Sequence, residues 1–183
     1  MKGAFLLFVR VLACSACTIA LLIDSVAGEV SPPLLIVGGA IEQPLRLSTT
    51  DLQGMQRTTL KVHDKNGSEV TFEGVALYEV LKRAKPRLTE KCCSNSVNTV
   101  VIIRASDNYQ ALFSLPEIDP KFSDSQILIA DHREGQLLSS PQGPLQIIVP
   151  DDKVHARWVR RVNSIEVLPL GEVKSASINS RPQ

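Results

Sequence analysis

The sequence has few aromatic residues, few cysteines and no marked excess of either charge. Aromatic residues make up 4% of the 183-residue chain and the net charge is +1 at pH 7, so an aliphatic core is expected. A nucleic-acid-binding domain is usually strongly basic, and this balance therefore does not favour such a partner. The chain also lacks a Gly-x-Ser-x-Gly nucleophile elbow and a phosphate-binding loop, which removes two common enzyme classes.

A long apolar run occurs only near the N-terminus, and it has the features of a secretory signal peptide. Lys2 and Arg10 give a positive start, residues 11–23 are apolar, and Ser25-Val26-Ala27 is a small-x-small cleavage site. We therefore predict a signal peptide over residues 1–27 and an exported mature chain whose natural location is a bacterial periplasm.

Two other interpretations of this segment are less favoured. An uncleaved membrane anchor would need more than these 13 apolar residues, and Asp24 interrupts the run. A lipid on Cys14 would leave most of the apolar run after the modified residue. We expect a mature chain that does not span a membrane, with residues 28–33 as a linker, 34–170 as one domain and 171–183 as a flexible tail.

The mature chain keeps two adjacent cysteines, Cys92 and Cys93, in what would be an oxidising compartment. Adjacent cysteines can close only a strained ring, so two loop thiols or an intermolecular bond are favoured over a redox-sensitive vicinal disulfide. One such pair also lacks the ligand spacing of a zinc site. Since no cysteine follows a predicted strand in the mature domain, a thiol nucleophile or a thiolate-bound metal has no candidate residue.

Turn signals and hydrophobic periodicity predict a single, strand-rich α+β domain. Asn66-Gly67 between two alternating segments is a strong hairpin signal, and Gly74 is expected to end the second strand. Apolar residues at i, i+3, i+4 and i+7 between Leu77 and Ala84 predict an amphipathic helix. Ser48, with Asp51 three residues later, predicts a capping box. The predicted strands cover residues 34–37, 45–47, 58–64, 69–72, 97–105, 109–115, 126–130, 145–149 and 162–167, with short helical segments after 48 and after 116.

A cluster of cationic and ring side chains follows the apolar strand 145–149, and these groups suit a phosphorylated or ring-bearing ligand. In an extended segment Arg157 and Arg161 share one face, and Trp158 and Arg160 share the other. In a helical segment the three arginines lie close together. The alternative is a solvated cationic sheet edge with Trp158 in the core. The cluster consists of Lys153, His155, Arg157, Trp158, Arg160 and Arg161.

Three other segments carry polar side chains at predicted strand ends. Asp107-Asn108-Tyr109 could hydrogen-bond a polar ring edge, or form a plain turn. His63-Asp64 and Asp131-His132-Arg133 each place a histidine beside an acid. Neither pair has a third potential ligand at a sequence spacing typical of metal sites, so surface turns are the favoured interpretation of both.

Several short segments occur along the chain in an informative order. They are FEGVAL (72–77) leading into YEVL (78–81), ASDNY (105–109), ILIA (127–130), GQLL (135–138), GPLQIIVP (143–150) and RWVR (157–160). In this order and spacing the segments resemble the sulfite-oxidase-like molybdopterin-binding domain family, over roughly residues 34–168. The resemblance implies a mixed α+β domain with its cofactor in a cleft lined by strand ends and loops.

The chain departs from this family at the metal. In catalytic members, a cysteine just after the strand matching Thr59 to Val62 binds molybdenum, whereas this chain continues with His63-Asp64. Cys92 and Cys93 follow the predicted helix instead. A soft thiolate is what anchors the metal to the protein, and the imidazole of His63 is a different kind of ligand. The resemblance therefore implies binding of a pterin, in the form of molybdopterin or another, with no metal expected.

Three functions are consistent with these features. The first is a non-catalytic, periplasmic pterin-binding protein that senses a pterin and regulates a membrane-bound cyclic-dinucleotide signalling enzyme, as the resemblance to short exported relatives implies. The second is a molybdopterin-dependent oxidoreductase, and the third is a ligand-free domain whose basic edge meets an acidic partner. The residues predicted to contact the pterin are Trp158, Tyr109, Asp107 and Asn108 at the ring, Arg157, Lys153 and Arg160 at a phosphate or polar tail, and His155 and His63 nearby.

Overall fold

Two five-stranded β-sheets and three short α-helices make up residues 33–86 and 98–170, the part of the chain that the computed structural model describes. This arrangement confirms the predicted strand-rich α+β fold. The elements are β1 Leu35–Gly39, β2 Leu45–Leu47, α1 Thr49–Gln53, β3 Arg57–His63, β4 Glu69–Ala76, α2 Leu77–Ala84, β5 Thr99–Ala105, β6 Gln110–Ser114, α3 Leu115–Ile118, β7 Leu128–Arg133, β8 Gln136–Leu137, β9 Gln146–Ile148, a 3-10 turn His155–Arg157 and β10 Val162–Pro169.

The first sheet has the strand order β2-β1-β10-β5-β6. The last strand, β10, runs parallel to β1 and antiparallel to β5, so the end of the described chain lies in the middle of this sheet. Its inward residues Val162, Ile165 and Val167 are each at most 1% exposed, in agreement with the predicted alternation. This insertion fixes the segment just before β10, which carries the cationic cluster.

The second sheet has the order β3-β4-β7-β8, and β9 also pairs with β7. The predicted hairpin is present, with β3 and β4 joined through Asn66 and Gly67. The prediction that Gly74 ends this strand is wrong. The strand continues to Ala76 and pairs with β7. The glycine is needed for a close approach, since a Cβ there would lie 2.0 Å from the carbonyl oxygen of Ile129.

The strand β7 also extends beyond its predicted end at Ala130. The register between β4 and β7 shifts at Glu73 and Gly74, which leaves Asp131 as an extra, bulged residue. Asp131 is 7% exposed, and two hydrogen bonds from Arg57 satisfy its carboxylate. A polar sequence therefore continues the strand because its buried charge has a partner from β3.

The helices form where capping and periodicity predict them. Ser48 Oγ accepts a 3.2 Å hydrogen bond from the Asp51 N–H, and Asp51 accepts a 2.8 Å bond from the Ser48 N–H, so the capping box is confirmed. In α2, the residues Leu77, Val80, Leu81 and Ala84 are each at most 1% exposed. The α2 helix begins directly after β4 and covers the core without an intervening loop.

The predicted signal peptide, the tail 171–183 and the pair Cys92 and Cys93 lie outside the described residues, as does almost all of the predicted linker. None of the described helices has the length and apolar character needed to cross a membrane.

Candidate functional site

A cavity of about 570 Å³ opens beside the second sheet, a size typical of small-molecule sites. The β3–β4 turn, the β5–β6 turn, β9 and the segment around the 3-10 turn all contribute to its lining. It therefore collects side chains from regions that are far apart in the sequence.

Aromatic rings form one wall of the cavity. Trp158 is 8% exposed, and its indole N–H donates a 2.9 Å hydrogen bond to the Val149 carbonyl. His155 stacks on the indole with ring centroids 3.7 Å apart, and Phe72 meets it edge-on at 5.9 Å. Trp158 thus belongs to the core and lines the cavity at once, and His155, which is half-buried, covers one face of its ring.

The β5–β6 turn is tied to the 3-10 turn by Tyr109. The Tyr109 hydroxyl donates a 2.7 Å hydrogen bond to the Ala156 carbonyl. Asp107 accepts a hydrogen bond from the Tyr109 backbone N–H and another from Arg161, and these two contacts lower the pKa of Asp107. Asn108 has a φ of +69°, so it forms the turn itself and does not line the cavity.

Three cationic side chains line the cavity, and they differ in how they are paired. Arg133 lies 3.4 Å from the Asp64 carboxylate and 5.7 Å from the Phe72 ring centroid. Lys65 and Arg160 are exposed, and neither forms an ion pair within residues 33–86 and 98–170. These two charges are available to an anionic group of a ligand.

Gln146 is the least exposed polar side chain in the lining. It is 4% exposed, and its Oε1 has no hydrogen-bond partner in the described part of the chain. Sequence reasoning missed this residue, although a signal existed, because Gln146 is the one polar residue inside the apolar run Leu145 to Val149.

Arg157, predicted to grip the ligand, makes other contacts. Its guanidinium donates two hydrogen bonds to Asp152, at 3.0 and 2.6 Å, and a third to Glu117 at 2.7 Å. It also lies 4.8 Å above the Phe113 ring. These carboxylates, Asp152 first, raise the pKa of Arg157. Arg157 does not line the cavity and instead joins the 3-10 turn to α3 and β6.

The structure thus brings together five of the nine predicted ligand residues: Asp107, Tyr109, His155, Trp158 and Arg160. The other four, Arg157, Lys153, Asn108 and His63, do not line this cavity. His63 is exposed at the end of β3, and Lys153 is exposed before the 3-10 turn. The lining residues that the prediction lacked include Lys65, Phe72, Arg133 and Gln146.

The pair Asp131 and His132 forms a separate cluster that does not line the cavity. His132 Nδ1 lies 2.7 Å from Asp131 Oδ1, on the carboxylate that also binds Arg57. Burial alone would raise the pKa of Asp131, but the hydrogen bonds from Arg57 and His132 outweigh burial and lower it. The expectation of a plain surface turn is therefore wrong for Asp131, which is buried within β7.

The cavity suits the pterin expected from the sequence, and the described residues that line it include no cysteine. Rings, two unpaired cations and an unpaired amide oxygen suit a planar, polar ring with an anionic tail. Asp64 follows β3, and its carboxylate accepts hydrogen bonds from the backbone N–H groups of Asn66 and Ser68, at 2.8 and 3.2 Å. Within residues 33–86 and 98–170 there is no cysteine and no group of three metal-ligating side chains.

Comparisons with known proteins agree with this fold. The family model "oxidoreductase molybdopterin binding domain" matches residues 34–172. The crystal structure of the sulfane dehydrogenase SoxCD from Paracoccus pantotrophus is similar, with a TM-score of 0.58 and 18% identity over 73% of this chain and 37% of that chain. The present chain thus spans little more than a third of that protein, and at this identity the likeness concerns the fold alone. A comparison with curated proteins found no match.

Proposed function

Because this chain belongs to the oxidoreductase molybdopterin-binding domain family, we propose that it is a periplasmic pterin-binding protein without catalytic activity. The observation that carries the proposal is a ring wall beside two cations, Lys65 and Arg160, that form no ion pair with any described residue. A pterin is planar and polar, and molybdopterin adds a phosphate, so both parts of such a ligand find partners here.

Each group of residues has a separate task in this proposal. His155, supported from behind by Trp158, offers a ring face on which a heterocycle can stack. Arg160 and Lys65 hold the anionic end, and Tyr109 keeps the β5–β6 turn against the 3-10 turn. Arg157 positions the 3-10 turn from behind rather than touching the ligand.

The absence of a cysteine after β3 supports a binding role over a redox role. A molybdopterin supplies a dithiolene that holds molybdenum, and the metal supplies the redox chemistry of such enzymes. His63 and Asp64 stand where the resemblance places the family's metal-binding cysteine, and the Asp64 carboxylate is engaged by the β3–β4 turn and by Arg133. A pterin bound at this site would therefore find no thiolate within residues 33–86 and 98–170 to complete a metal centre.

The signalling part of the proposal depends on a difference between the pterin-bound and the pterin-free protein. An exported pterin-binding domain can report the pterin to a membrane-bound cyclic-dinucleotide enzyme if the partner distinguishes the loaded from the empty form. The test is to delete the gene and restore it with either the wild type or Arg160→Met. Cellular cyclic-dinucleotide levels should return to normal with the wild type only. Equal rescue by both forms would contradict pterin-dependent signalling.

A molybdopterin-dependent oxidoreductase is the second candidate, and family membership favours it. In that case molybdenum would be held through the pterin alone. Purified protein would then contain stoichiometric molybdenum and reduce an artificial electron acceptor when given substrate.

The binding proposal is tested through Trp158, the single tryptophan of the chain. Adding pterin-6-carboxylate should quench its fluorescence saturably, because the ligand would lie beside the His155–Trp158 stack. Arg160→Met should weaken the affinity about tenfold, the equivalent of one charge-assisted hydrogen bond. Quenching without saturation, or equal affinity in the variant, would contradict this site.

A further inference from the structure

Gln146 has an incomplete set of hydrogen bonds at the edge of the cavity. It lines the cavity from β9, and its Oε1 is buried without a partner among the described residues. Nearly all buried polar atoms in folded proteins have a partner, because leaving one unpaired is unfavourable. The amide of Gln146 therefore has hydrogen-bonding capacity left for a donor on a ligand in this cavity.

The backbone holds Gln146 in this position from two sides. It pairs with Ala130 of β7 and forms an isolated bridge with Arg160. Its neighbours Leu145 and Ile147 are fully buried, so the strand cannot turn the amide toward solvent without exposing the core. The position of the amide is thus fixed by the sheet, as a residue that selects a ligand requires.

We propose, on the basis of the pterin binding proposed above, that Gln146 selects an amino-substituted pteridine. Its Oε1 accepts a hydrogen bond from the exocyclic amino group on the ring edge. An amide side chain suits such an edge because it presents an acceptor beside its donors, as Asn and Gln do when they bind adenine. Arg160 belongs to the same bridge as Gln146, so the ring edge and the anionic tail of one ligand are recognised from neighbouring backbone positions.

The experiment compares two probes that differ at one ring substituent. Pterin-6-carboxylate carries an amino group where lumazine-6-carboxylate carries an oxo group, and both have the same anionic tail. We expect the wild type, measured by calorimetry at fixed salt, to bind the pterin about tenfold more tightly. Gln146→Met should bind the pterin about tenfold more weakly and lose the preference, while Gln146→Glu, which keeps an acceptor, should retain it.

A matched control separates selection from a general disturbance of the cavity. Gln142 also lines the cavity but is only partly buried and has no unpaired buried atom. Gln142→Met should keep the wild-type preference, and the melting temperature of each variant reports its folding. If Gln146→Met fails to fold, the comparison of Gln146→Glu with the wild type decides, because loss of the preference in that variant overturns the proposal.

The outcomes distinguish this inference from the proposed function. Binding of the pterin with the same preference in the wild type and in Gln146→Met would overturn the role of Gln146 and leave pterin binding intact. Failure of both probes to bind the wild type would overturn pterin binding itself, and the selection with it.

Discussion

The ring of His155 lies flat on the indole of Trp158, with centroids 3.7 Å apart and ring planes 12° apart. The histidine therefore covers one face of the tryptophan, and Phe72 meets the same indole edge-on. A ligand that approaches this face of the indole without displacing His155 would stack on the imidazole, with Trp158 as its support. Trp158, which the sequence predicts to touch the ligand, thus has one ring face already covered by His155.

Removing the imidazole should expose the indole. We expect His155→Ala to shift Trp158 emission to longer wavelength and to increase its quenching by acrylamide, because one ring face becomes accessible. His63→Ala is a matched control, since His63 is exposed and does not line the cavity. An unchanged spectrum in His155→Ala would show that the stack does not persist in solution.

Arg157 and Arg160, three residues apart, should behave in opposite ways. Arg157→Met removes the hydrogen bonds to Asp152 and Glu117, and should lower the free energy of unfolding by about 1–2 kcal/mol, allowing for partial exposure. Arg160→Met removes no ion pair seen in the described part of the chain, and should change the free energy of unfolding by less than about 0.5 kcal/mol while weakening ligand binding directly. Urea denaturation and ligand titration of both variants test this contrast. A stability loss at Arg160 that matches the one at Arg157 would contradict it.

Gly74 should not tolerate a side chain. A Cβ at this position would lie 2.0 Å from the Ile129 carbonyl oxygen, whereas a Cβ at Gly38 would have no atom within 4 Å. We expect Gly74→Ala to cost about 3 kcal/mol or to prevent folding, because β4 and β7 would have to separate. Gly38→Ala should hardly change the stability, and the melting temperatures of the two variants measure this difference. Similar values for both would contradict the close approach of these strands.

The Asp131 carboxylate should make stability dependent on pH in the acid range. Its pKa is lowered in the folded state, so its contribution is fully present above the unfolded value of about 3.9 and is lost as the pH falls through the folded value. We expect Asp131→Asn to be less stable than the wild type at pH 7. The difference should shrink below about pH 4, as the wild-type carboxyl becomes protonated. Urea denaturation at pH 7, 5, 4 and 3 measures this, and a difference that stays constant over that range would contradict it.

Much of the fold follows from local signals in the sequence. The Ser48 capping box, the Asn66-Gly67 hairpin and the apolar face of α2 each depend on residues close together in the chain. The predicted ends of β4 and β7 are wrong because each true end depends on a partner that is distant in the sequence. Gly74 continues its strand only because β7 lies so close, and Asp131 continues its strand only because Arg57 neutralises it.

The candidate site, like the fold, is only partly predictable from local sequence. The sequence shows a cationic cluster, but it does not show that Arg157 forms ion pairs with Asp152 and Glu117, whereas Arg160 forms none with the described residues. Lys65, Phe72 and Arg133 come from the β3–β4 hairpin and from β7, and reach the cavity only through pairing in the second sheet. Pairings between distant residues are set by the tertiary fold, and a single sequence does not contain them in readable form.

The most direct test of the account is to identify what the protein carries in its native host. Protein purified from that host would be denatured, and the fluorescence and mass of any released ligand recorded, with molybdenum measured on the same sample. We predict a pterin in near-stoichiometric amount and no molybdenum above background. Stoichiometric molybdenum together with a pyranopterin would contradict the non-catalytic account, and a protein that carries no pterin and binds none when it is added would contradict pterin binding.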